Sequence, residues 1–133
     1  MAQVLTAPRV QYSGRMSSVE EAISKCNPTM QRKLIYIDAA LRFQKFYREQ
    51  GDKTAMLEKH KEVVTSLDKL GEAPCTQFEN EFLGSLWERA GKQLQNTACH
   101  SEQYHCFIRA MNHYEHANNS DKSLQVFRNL YRK

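Results

Sequence analysis

The chain has 133 residues, 41% of them apolar and 26% charged, with a mean hydropathy of −0.70. That length suits one domain burying roughly two-thirds of its unfolded surface, so a core can form without metal or disulfide support, and the near-average charge excludes a disordered or fibrous chain. Nineteen Lys and Arg against fifteen Asp and Glu give +4 and a pI near 8.9, which permits an acidic partner without demanding one.

Only 5 Gly and 3 Pro are available for turns. Such scarcity suits a few long helices with short links and disfavours a β-sandwich, which needs a turn signal every 8–12 residues or so. The longest apolar run is Leu34–Ile37, too short for a membrane span or a signal segment, so a cytosolic or nuclear location is expected. Cys26, Cys75, Cys99 and Cys106 are irregularly spaced and read as reduced, mostly buried side chains rather than a disulfide framework.

Residues 1–15 carry Pro8, Gly14 and scattered apolar residues (Val4, Leu5, Val10, Tyr12) without a helical period. They are expected to form a flexible N-terminal arm, with 16–133 as a single helical domain. A first short helix starts at Ser17 or Ser18, since Ser17 with Glu20 and Ser18 with Glu21 both fit a capping box. Val19, Ala22 and Ile23 form its stripe, and Asn27-Pro28 ends it, because proline excludes helical geometry from the preceding residue and suits the next helix's first turn.

From Met30 to about Gln50 the period is strongly helical. Leu34, Ile37, Ala40, Leu41 and Gln44 share one face, and Tyr36, Ala39, Phe43, Phe46 and Tyr47 share its neighbour. So wide an apolar girth requires two partners, so the helix is either central or part of an intermolecular contact. Gly51-Asp52 supplies a C-cap and a new N-cap. A third helix carries Met56, His60, Val63, Leu67 and Leu70 inward and ends at Gly71 to Pro74.

Thr76-Gln77-Phe78-Glu79 is a capping box opening a fourth helix, with Phe78, Phe82, Leu83, Leu86, Trp87, Ala90 and Leu94 as inner positions. The pattern lapses over Asn96–Ser101. A fifth helix follows with the stripe Tyr104, Phe107, Ile108, Met111 and Tyr114. Asn118-Asn119-Ser120-Asp121 then makes a capped turn, and a last helix presents Leu124, Phe127, Leu130 and Tyr131, with Arg128, Arg132 and Lys133 in its final turn. The expected fold is all-α, a bundle or short array of five to six antiparallel helices.

Phe107, Ala110, Met111, Tyr114, Ser123, Phe127 and Leu130 fall at the large and small positions of a helical hairpin that resembles a tetratricopeptide unit, with Met111 departing from that family's small-residue position. The hairpin from Leu34 to Leu70 resembles one more loosely, through Tyr36, Ala39, Ala40 and Phe43. The resemblance implies an array of tetratricopeptide-like helical hairpins.

Chemistry-bearing clusters are few. Cys99, Cys106, His113 and His116 lie near one another in sequence, a composition that draws zinc. Yet Cys106 and His113 on one helix stand about 10.5 Å apart along its axis, too far to share an ion held at roughly 2 Å from each ligand. No metal and no cofactor is therefore expected. A Cys–His nucleophile pair would need an oxyanion hole or Gly-rich loop, which the sequence lacks, and carboxylates such as Glu58 and Glu62 sit beside Lys59 and Lys61 as solvated pairs. The protein is not expected to be an enzyme.

What remains is a protein–protein adaptor or assembly domain. Its expected contact residues are Tyr36, Phe43, Phe46, Tyr47 and Trp87, engaging a partner's helix or peptide or a second copy of the chain. The alternative is a nucleic-acid accessory protein, in which Arg42, Lys45 and Arg48 hold phosphates between aromatic residues. No membrane partner is expected.

Overall fold

The computed structural model describes residues 18–131; the expectations for residues 1–17, including the Ser17 cap, and for Arg132 and Lys133 lie outside them. Six helices follow in order: α1 (Ser18–Ser24), α2 (Pro28–Glu49), α3 (Lys53–Glu72), α4 (Gln77–Lys92), α5 (His100–His116) and α6 (Ser120–Tyr131). Among the described residues there is no strand. Each helix packs chiefly on its neighbours in sequence, as antiparallel hairpins: α2 with α3, α4 with α5, α5 with α6, and α1 against α2.

Local side chains fix the boundaries. Asn27 caps α2 by accepting from Thr29 N at 2.9 Å, with Pro28 in the first turn. Gly51, at φ +76°, reverses the chain after α2, and Asp52 then caps α3 through Ala55 N at 3.1 Å. Thr76 and Glu79 form the reciprocal box that opens α4. Asn118 closes α5 in the left-handed region, and Asn119 caps α6 through Lys122 N at 3.1 Å. These devices each satisfy backbone groups left over at a helix end.

One main core gathers Ile23, Cys26, Met30, Leu34, Ile37, Ala40 and Leu41 from α1 and α2 with Val63 and Leu67 of α3, Leu83, Leu86, Trp87 and Ala90 of α4, Cys106, Phe107, Ala110 and Tyr114 of α5, and Val126 of α6. Helices α4 and α5 approach each other closely. A Cβ on Gly84 would sit 2.9 Å from the Tyr114 ring, and one on Gly91 2.7 Å from that of Phe107. Neither glycine marks a helix boundary; both open room for an aromatic ring from the facing helix.

Several expected inner positions lie outside the core. Phe78, Tyr104, Leu124 and Phe127 are exposed, and α6 turns Ser123 and Val126 inward instead of Leu124 and Phe127. For Leu124 and Phe127 the reason is that α6 is the last described helix and packs mainly on α5, and for Phe78 that it stands at the very start of α4, so these stripes are wider than the surface that covers them.

Candidate interaction surface

The two apolar faces of α2 part company. Met30, Leu34, Ile37, Ala40, Leu41 and Gln44 are buried, whereas Ile35 is 59%, Tyr36 46% and Phe46 51% exposed. At 100° per residue, Ile35, Ala39 and Phe46 point directly away from the core. On their α3 side lie Tyr36 and the half-buried Phe43 and Tyr47.

This aromatic side is braced. The Tyr36 hydroxyl donates to Glu62 Oε1 on α3, and Lys59 Nζ pairs with the same carboxylate at 3.2 Å while lying 5.7 Å from the centroid of the Phe43 ring. That hydrogen bond raises the Tyr36 pKa and, with Lys59, lowers that of Glu62. Phe43 stacks on Tyr47 at 6.3 Å, and Phe46 meets Tyr47 edge-on at 5.7 Å. The rings therefore form a continuous, positioned surface.

On the other side of the Ile35–Phe46 strip runs a groove of about 620 Å³ between α2 and α4. Asp38, Arg42, Lys45 and Arg48 form one wall, Ser85, Glu88, Arg89, Lys92 and Gln93 the other, and Val19 of α1 also lines it. Asp38 ties the walls together, accepting from Arg42 Nε at 3.0 Å and from Arg89 Nη1 at 2.7 Å. Lys92 pairs with Glu88 at 3.3 Å, and Arg48 Nη2 donates to Gln95 O at 2.6 Å. Five basic side chains face two carboxylates, so the groove is net positive.

The structure thus brings Arg42, Lys45 and Arg48 together and adds Arg89 and Lys92, which the sequence reading did not single out. Their signal was the polar spacing of Ser85, Glu88, Arg89 and Lys92 on α4, legible only as a solvated face. Trp87 is a correction. It is 1% exposed, with its ring meeting that of His105 at a near-right angle and the Arg109 guanidinium over it, because α4 is covered by α5 along that line. A partner cannot reach it without unpacking the core.

Cys99, Cys106, His113 and His116 do not converge. Cys99 is the residue before α5, Cys106 is fully buried towards Gly91, His113 Nδ1 lies 2.9 Å from Asn80 Oδ1, and His116 Nδ1 lies 2.8 Å from Asn112 O. Among the described residues no three His, Cys, Asp or Glu side chains are grouped to hold a metal ion. Burial, reinforced by Asp68 and Glu102, pushes the Cys106 thiol up to about 12, and burial with Glu79 also raises Cys75. Both shifts favour the protonated thiol.

Among the described residues no helix is long and apolar enough to cross a membrane. Compared with family models, curated proteins and solved structures, the chain shows no match to any of the three. The tetratricopeptide resemblance thus gains no family match, and what stands is an all-helical array of sequential antiparallel hairpins carrying exposed apolar and aromatic residues able to form a binding surface.

Proposed function

We propose that the protein is a non-catalytic interaction domain, built of tetratricopeptide-like hairpins, which assembles a complex by binding another protein on the outward face of α2. The observation carrying this reading is the exposure of Ile35, Tyr36 and Phe46 on a helix whose opposite face fills the core. Covering the exposed part of each such side chain contributes about 1 kcal/mol, and contiguous patches of this kind mark interaction sites. The bracing of Tyr36 and Phe43 by Glu62 and Lys59 supports the reading further, since rings already held in place lose little side-chain freedom on binding.

The test is binding of a synthetic amphipathic helical peptide, with a leucine seam and uncharged glutamine flanks, measured by fluorescence anisotropy. Wild-type protein is expected to bind it, and Ile35→Glu or Phe46→Glu to weaken binding about tenfold or more, one decade being about 1.4 kcal/mol. Both side chains are more than half exposed, so the melting temperature should stay close to that of the wild type. No binding by the wild type, or equal binding by the variants, overturns the proposal.

A further inference from the structure

The strip Ile35–Ala39–Phe46 runs along α2 beside Asp38, Arg42 and Lys45, which line the groove whose opposite wall carries Arg89 and Lys92. We infer that the partner segment is an amphipathic helix with acidic residues along one edge of its apolar seam: the seam covers Ile35, Ala39 and Phe46, and the acidic edge enters the groove between α2 and α4. This inference rests on the reading of the α2 face as the binding surface and specifies the chemistry of what binds there.

Three observations carry it. First, packed helices lie about 8–10 Å apart, so a helix seated on the outward face of α2 places its flank within side-chain reach of the groove wall. Second, the groove is net positive, and Asp38 bridges Arg42 to Arg89 across it while Arg48 is tied to Gln95 O. A guanidinium has five donors, and the Arg89–Asp38 bond uses one of those of Arg89, so Arg89 can donate to a partner carboxylate without releasing Asp38. Third, the neighbouring surface suits a peptide better than a nucleic-acid strand. Ile35 is its most exposed large hydrophobic side chain, and a β-branched aliphatic offers no face for a base to stack on, while the Phe43 and Phe46 rings already contact that of Tyr47. Complementary charge beside an apolar seam also fixes the direction in which the helix lies.

The experiment uses the full chain and three peptides sharing one leucine seam, with glutamate, glutamine or lysine on the flank. At low salt the glutamate peptide is expected to bind about tenfold tighter than the glutamine peptide and the lysine peptide weakest. The glutamate advantage should shrink as salt rises to about 0.5 M, where screening reaches within a few ångströms. Lys45→Glu and Lys92→Glu should abolish that advantage, with the milder Lys45→Gln reducing it if either reversal disturbs folding. Equal binding of the glutamate and glutamine peptides, still lost in Phe46→Glu, overturns the acidic-edge inference and leaves the binding face standing. Failure of every peptide overturns both. Salt-sensitive binding of a single-stranded oligonucleotide that is lost in Lys45→Glu but kept in Phe46→Glu would assign the groove to nucleic acid and also overturn the inference.

Discussion

Glu79 Oε2 lies 2.6 Å from the backbone nitrogen of Asn27, fifty-two residues earlier, while its other oxygen accepts from Thr76 N at 2.9 Å. One carboxylate, 4% exposed, thus closes the capping box of α4 and fastens the α1–α2 junction to it. Removing it strands two backbone donors, each costing about 1–3 kcal/mol if left unpaired.

Glu79→Ala is therefore expected to lower stability by about 2–4 kcal/mol in urea unfolding followed by circular dichroism. Glu79→Gln should fall between the two, because its amide has one acceptor oxygen where two donors converge. An alanine variant within about 0.5 kcal/mol of the wild type, the range of an ordinary surface change, would contradict this account of the junction.

The close approach of α4 and α5 makes a second prediction. Alanine at position 91 would set its Cβ 2.7 Å from Phe107 Cε1 and 3.1 Å from Cys106 Cβ. Helix propensity alone favours Gly91→Ala by about 1 kcal/mol, whereas forcing a methyl into a packed core costs about 1–3 kcal/mol. The Phe107 ring and the Cys106 side chain are both buried, so the steric cost is expected to win and the melting temperature to fall. A higher melting temperature would mean that the two helices part without loss.

A third prediction concerns acid. Burial lowers the pKa of His60, with Glu102 of α5 opposing and His105 adding to the shift, and beside it lies Gln44 of α2, its Nε2 3.5 Å from His60 Nδ1. Burial lowers His113 too, helped by His116 and Arg109 and opposed by Asp68. The unfolded chain takes up these protons near pH 6.5 and the folded chain resists them, so the contribution to stability is complete above that pH and declines as pH falls through it. The melting temperature should be lower at about pH 5.5 than at about pH 7.5, and less so in His60→Gln. An unchanged slope in that variant would remove His60 from the explanation.

Thiol reactivity gives the fourth. Cys26, Cys99 and Cys106 are buried and Cys75 is partly accessible. Burial, with Glu79 and Cys75 adding to it, pushes the Cys26 thiol up to about 11. Alkylation of the folded protein with iodoacetamide, mapped by peptide mass, should label Cys75 first and reach Cys26 and Cys106 only after unfolding. Early labelling of Cys106 would be incompatible with its place against Gly91.

The fold class and the helix ends are legible in local spacing alone. The caps at Asn27, Asp52, Thr76 with Glu79 and Asn119 are made within a few residues, and so are visible as local spacing. It also separated the two apolar faces of α2, since the period of 3.6 residues acts along a single helix. Tertiary structure alone decided which apolar stripes were covered. Trp87 is sealed under α5, whereas Leu124 and Phe127 on the last described helix are exposed, because burial depends on which helix lies opposite. The groove was likewise out of reach of sequence: Asp38 and Arg89 stand fifty-one residues apart, and only the placement of α4 beside α2 turns two ordinary charged faces into the two walls of one net-positive groove.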